Sequence, residues 1–157
     1  MFYVHTGNNT ESSNTFALHQ TAAFMEKTKW KITLILQVLK MGFNVLYADA
    51  DVILLKDPFP YLESLSGYDF IAQKDGNYIC SGFMYILSNP RSINAIGKAH
   101  EYVQKSIMRD QIAVNLAIVR SNISYYLLPD SLFPSGLEFF RRYQFYWDRN
   151  GFCYMRH

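Results

Sequence analysis

Residues 39–62 read LKMGFNVLYADADVILLKDPFPYL, and this stretch decides the fold. Asn44 to Ala48 is short, β-prone and apolar on both faces, the pattern of a strand buried inside a parallel or mixed sheet. That strand stops at two acids, Asp49 and Asp51. Upstream, from about Thr21 to Met41, the apolar residues Phe24, Met25, Ile32, Ile35, Leu36 and Leu39 recur at spacings of three and four. Such spacing predicts a helix, and Gly42 stands where a C-terminal cap belongs.

Working outward, residues 5–15 are polar and follow neither period, so they read as an exposed loop. Tyr68–Gln73 and Gly82–Leu87 read as two further strands, with turn chemistry at Gly67 and at Gly76-Asn77. Asn89-Pro90 supplies the cap and first turn of a helix running to about Lys105. Asp110 caps another, whose apolar face is expected to be Ile112, Ala113, Leu116 and Val119. Tyr125–Leu128 makes a last strand before a loop at Pro129–Gly136. There is no internal repeat. The order is that of an α/β domain, a mostly parallel sheet with covering helices, and residues 1–157 fit one such domain.

Composition narrows the function classes. Half of the 157 residues are hydrophobic, 18% are charged and the net charge is +2, which argues against disorder and against a nucleic-acid partner. Twelve Tyr, twelve Phe and two Trp are a surplus that fills a core or lines a pocket for flat, partly apolar ligands. Cys80 and Cys153 make neither a paired zinc site nor a disulfide framework. Sequons at Asn8 and Asn122 would permit glycosylation in a secretory lumen. The apolar run at Ile32–Leu39 is far short of the about 20 residues of a membrane span, and no signal peptide follows Met1.

Ligands of open α/β sheets bind beyond the carboxyl ends of the strands, so Asp49 and Asp51 point into the expected crevice. Two neighbouring acids in an apolar stretch repel one another. A hard divalent ion such as Mg²⁺ or Mn²⁺, shared with a diphosphate, relieves that cost. The alternative is a turn in which Asp49 caps the backbone and Asp51 faces water. His5, His19 and His100 have no partner at metal-ligand spacing and read as surface or structural residues.

The quoted stretch resembles the nucleotide-diphospho-sugar transferase family, in the group placed in glycosyltransferase family 77, through its Gly-aromatic-x-Val-Leu-x-x-Asp-x-Asp-Val segment closed by a proline. Three further motifs follow in family order: Ser81-Gly82-Phe83-Met84-Tyr85-Ile86, then Asp110-Gln111 with Asn115, then Phe133-Pro134-Ser135-Gly136. The resemblance covers about residues 27–157. It implies a GT-A-type mixed, mostly parallel sheet, a UDP-sugar donor, Mn²⁺ (or Mg²⁺), retention of anomeric configuration, and a glycan or glycoprotein acceptor. It also implies a Golgi lumen location for the full-length protein behind a single N-terminal anchor, although no targeting or membrane segment is visible in this chain.

Carried over residue by residue, Asp49 and Asp51 become metal and donor ligands, and His157 becomes a third metal ligand if it matches the family's C-terminal histidine; its alternative is a frayed terminal residue. Lys31, Ser81 and Gly82 match donor-binding positions, and Asp110 and Gln111 become candidates for the chemical step. Asp75, at the end of a strand, is a candidate base for the acceptor hydroxyl; its alternative is a turn residue before Gly76. Lys31 would offset phosphate charge, or else stand with Lys27 and Lys29 on a solvated face. Cys80 replaces an asparagine found in many members. The short segment before the first helix leads us to expect a fragment, incomplete at the N-terminus. The rival expectation is a non-catalytic remnant on the same scaffold that supports a partner or binds sugar nucleotide weakly.

Overall fold

The computed structural model describes residues 22–105, 108–136, 138–139, 144–147 and 153–156. Its elements are α1 (Ala22–Lys40), β1 (Val45–Ala48), α2 (Phe59–Ser64), β2 (Phe70–Asp75), β3 (Tyr78–Ile86), α3 (Pro90–Lys105), α4 (Asp110–Arg120), β4 (Tyr125–Leu127), β5 (Gln144–Trp147) and β6 (Cys153–Arg156). The first four strands form one mixed sheet in the order β1-β3-β2-β4, and β5 and β6 pair with each other.

Three of the four strands in the main sheet run the same way. β4 is parallel to β2, while β3 runs antiparallel to both β1 and β2 and sits between them. The reversed strand comes from a hairpin. Gly76 takes φ +59°, the positive value that a two-residue hairpin turn needs at its first central position, and Asp75 faces Tyr78 across it. The result is an α/β layer with helices over a mixed sheet. β1 was expected inside that sheet; among the described residues it lies at the edge and is half-buried.

Both faces of the sheet are covered, so alternate residues of each strand enter different cores. Phe70, Ala72, Met84 and Ile86 pack under α1, α3 and α4, against Ile32, Leu39, Ile96, Val103, Val114 and Ile118. Ile71, Phe83 and Tyr85 enter the opposite core with Leu62 of α2 and Leu128. α2 was not anticipated. It holds because Asp57 accepts the Phe59 amide, Pro58 accepts the Leu62 amide, and Leu62 is fully buried.

The helix ends follow local chemistry. Gly42, at φ +89°, closes α1, where its amide reaches Leu39 and that of Phe43 reaches Val38, the paired bonds of a Schellman motif. Asn89 caps α3 as expected, accepting the Ser92 amide at 3.0 Å. In α4 the expected face is met only in part, at buried Ala113 and half-buried Leu116. Ile112 and Val119 are exposed, and the buried face is Asp110, Ala113, Val114, Ala117 and Ile118. This helix is apolar nearly all round, so periodicity did not fix its rotation. Two polar anchors do: Asp110 turned inward, and Asn115, which bonds both the amide and the carbonyl of Ile79 at 2.9 Å.

Candidate functional site

The chain folds so that four segments meet at one sheet edge: the carboxyl end of β1, the β2–β3 hairpin, the first half of β3 and the start of α4. Asp49 follows β1 and continues its pairing, since its amide donates to the Gly82 carbonyl at 2.7 Å. Opposite β2, β3 carries an irregularity: the register shifts between Ala72 and Lys74, so Cys80, Ser81 and Gly82 fall in the unpaired stretch. A bulge of this kind re-aims side chains. Here it brings Ser81 to α1 and α4 and brings the bare backbone of Gly82 beneath Asp49. A Cβ on Gly82 would stand 2.8 Å from Asp49 Oδ2.

Lys31 projects from α1 into the centre of this cluster. Its side chain is only 9% exposed, and its ammonium lies 2.8 Å from Asp110 Oδ2, 3.3 Å from Asp49 Oδ1 and 3.3 Å from Ser81 Oγ. Ser81 Oγ in turn donates to Asp110 Oδ2 at 2.9 Å. Lys31 is therefore not on a solvated face. One ammonium bridges two carboxylates that would otherwise repel, a buried arrangement that is sound only while each polar atom keeps its partner. Asp110 was expected to cap α4; it is instead the first helical residue, no side-chain cap bond is made there, and Lys31 and Ser81 hold its carboxylate.

Gln111 turns the other way. Its side-chain amide donates to Asp75 Oδ2 at 2.8 Å, so the end of β2 and the start of α4 share a second polar pair at the same edge. Asp75 is exposed, and Asp51 is exposed beyond the turn that the Val52 amide makes to the Asp49 carbonyl. The Phe133-Pro134 segment is tied to the sheet by Gln73, whose amide nitrogen donates to the Pro134 carbonyl at 2.7 Å. His157 lies outside the described residues. His100 sits on α3 beside Gln104.

Sequence reasoning missed Tyr47. Its hydroxyl donates to Asp49 Oδ1 at 2.6 Å, and its ring lies under the Lys31 ammonium, 4.5 Å from the centroid. Burial, then the bond to Asp49, pushes this phenol above its ordinary range. A signal existed, because residues two apart on a strand share a face. Cys80 is half-buried, and burial raises its thiol.

Chemically, the edge offers carboxylate oxygens from Asp49 and Asp51, an internal cation, and the amide–carboxylate pair Gln111–Asp75. Among the described residues no three His, Cys, Asp or Glu side chains are grouped to hold a metal ion by themselves. Two oxygen donors are the protein share that a hard divalent ion takes when substrate phosphates and waters complete its shell.

A family model for nucleotide-diphospho-sugar transferases matches residues 1–156. A UDP-galactose:fucoside alpha-3-galactosyltransferase of Dictyostelium discoideum is 30% identical over 140 residues, 70% of this chain and 22% of the relative. The UDP-D-xylose:L-fucose alpha-1,3-D-xylosyltransferase 3 of Arabidopsis thaliana is 32% identical over 135 residues, 68% of this chain and 35% of the relative. A beta-arabinofuranosyltransferase of the same plant is 31% identical over 98 residues, 56% of this chain and 18% of the relative. The chain thus spans about a third or less of these relatives' length. No solved structure matches it.

Proposed function

We propose a function from a settled premise: the chain belongs to the nucleotide-diphospho-sugar transferase family. In this reading it carries the catalytic edge of a glycosyltransferase that moves a sugar from a UDP-sugar to a glycan or glycoprotein acceptor. The observation that carries the proposal is the convergence of Asp49, Lys31, Ser81 and Asp110 within hydrogen-bond reach at the carboxyl end of β1. A ligand of an open α/β sheet belongs at that edge.

Asp49 and Asp51 would hold a divalent cation, Mn²⁺ or Mg²⁺, together with the donor diphosphate. That ion would neutralise charge on the departing UDP. The chain's own residues do the rest. Lys31 and Ser81 keep Asp49 and Asp110 in place, and Gly82, without a side chain, leaves room over its backbone for Asp49 Oδ2. Gln111 supplies a side-chain amide to the reacting centre, and Asp75 accepts the proton of the incoming hydroxyl. Several relatives are named for alpha linkages to fucose or a fucoside, which supports a deoxyhexose-bearing acceptor and a transfer that retains configuration. By family resemblance the full protein works in the Golgi lumen. No described helix is long and apolar enough to cross a membrane.

Asp51→Asn tests the reading. The substitution keeps size and removes one charge from an exposed side chain, so thermal stability should stay within about 0.5 kcal/mol of the parent, as surface changes do. Calorimetry with a UDP-sugar should lose its Mn²⁺-dependent heat. Unchanged binding would remove Asp51 from the site. Absence of binding in the parent chain across a panel of UDP-sugars would favour a non-catalytic supporting role.

A further inference from the structure

We infer that Tyr47 is a positioning residue that decides which oxygen of Asp49 is offered to a ligand; the inference rests on reading Asp49 as a ligand carboxylate. An aspartate carboxyl rotates easily, because its last torsion is broad and two-fold, so a lone Asp49 would present either oxygen. In this structure both donors fall on the same atom. The Tyr47 hydroxyl lies 2.6 Å from Oδ1 and the Lys31 ammonium lies 3.3 Å from it. Oδ2 is turned the other way, over Gly82, where a Cβ would come within 2.8 Å of it. Tyr47 and Lys31 therefore pin one oxygen, and the absence of a side chain at residue 82 makes room for the other.

The two restraints are not independent. Lys31 stands over the Tyr47 ring at 4.5 Å, so the ring steers the ammonium while the hydroxyl steers the carboxylate. Val45 and Tyr47 pack against the core under the helices, which fixes the ring from behind. Asp49 itself is 41% exposed at its side chain, so the pinned carboxylate still reaches solvent and any ligand there. A ligand oxygen held by its neighbours in this way binds a cation more tightly, and loss of such a partner costs about 10- to 100-fold in metal affinity.

The test uses the 157-residue chain with MnCl₂ and UDP as the probe. Tyr47→Phe keeps the ring under Lys31 and removes only the hydroxyl. A double-mutant cycle of Tyr47→Phe with Asp49→Asn, read by urea unfolding without ligand, should show coupling between the two side chains. Binding of Mn²⁺ in the presence of UDP, read by calorimetry and by the electron paramagnetic resonance line of Mn²⁺, should weaken about 10-fold or more in Tyr47→Phe. Gly82→Ala, which displaces Oδ2 instead, should weaken it similarly. Additive unfolding effects would overturn the inference, and so would coupling accompanied by parental Mn²⁺·UDP affinity in Tyr47→Phe. If the parent chain binds no Mn²⁺ with UDP, the proposed function fails along with the inference; if only the Tyr47 variant is unaffected, the inference fails and the function stands.

Discussion

Lys31 is the residue on which most of the candidate site depends. It is almost fully buried, its closest partner Asp110 is 12% exposed at the side chain, and their separation is 2.8 Å. Replacing it with methionine would leave the Asp110 charge in the interior with no cation and only the Ser81 hydroxyl as a partner, a loss of about 3–5 kcal/mol. Asp49 adds less because it meets solvent. We expect Lys31→Met to lower stability by that amount in urea unfolding, and Asp110→Asn in the same background to restore more than half of it. Additive losses would mean that the two groups do not act as a pair. The acids of this site were legible, since a strand that ends on Asp49 and Asp51 marks a sheet edge. Their partners were not. An aspartate at a helix start reads as a cap from sequence, and only the packing of α1 over β3 shows that Asp110 faces Lys31 and Ser81 instead. Tyr47 could have been paired with Asp49 by its spacing of two, but its contact with Lys31 was hidden for the same reason, because Lys31 lies on another element.

At the scale of elements, a second network fixes the opposite end of the sheet, where β2 and β4 begin. Asp69 is buried and receives Arg91 at 2.7 Å, Asn89 at 2.8 Å and the Ser124 hydroxyl at 2.8 Å, so one carboxylate ties β2 and β4 to the start of α3. The Arg91 guanidinium, aided by Ser124 and Asn89, holds its pKa down at about 2 against burial, which pushes it up. A depressed carboxylate stabilises the fold above its unfolded value near 3.8 and loses that contribution as pH falls toward 2. Because Arg91 is 67% exposed at its side chain, we take the contribution at neutral pH as about 1–2 kcal/mol. Asp69→Asn should therefore flatten the fall in stability between about pH 4 and pH 2, measured by urea midpoints, relative to the parent. An unchanged profile would assign acid sensitivity elsewhere. Most of the elements were readable: α1, α3, β1, β2, β4 and the second half of β3 follow period and caps, whereas β5 and β6 were not anticipated. This network was not, because its members lie at positions 69, 89, 91 and 124 and only the strand order brings them together. The β2–β3 hairpin was marked by Gly76-Asn77, but the strand order was not, since pairing β1 with β3 and β4 with β2 is a long-range choice that no local pattern encodes.

For the molecule as a whole, the sheet serves as a shared floor for two cores, and the site draws on both. The helical core carries Lys31 and α4, while the opposite core carries Phe83, which packs on Phe133 at 5.6 Å, and Tyr61, which packs on the same ring at 5.7 Å. That second layer seats the Phe133-Pro134 segment whose carbonyls Gln73 grips from β2. Its packing centre is Leu62, fully buried on the short helix α2. Leu62→Ala removes a buried side chain without touching a polar group, and should cost about 2–5 kcal/mol depending on how far the site collapses. If the layers are coupled through β2 and β3, the loss is global: hydrogen exchange should speed up in α1 and α3 by the same factor as in β2, although neither helix belongs to the core around Leu62. Faster exchange confined to α2 and the neighbouring loops would show instead that the second layer opens by itself, and that the Phe133 segment is only locally attached to the body that holds Lys31 and Asp49.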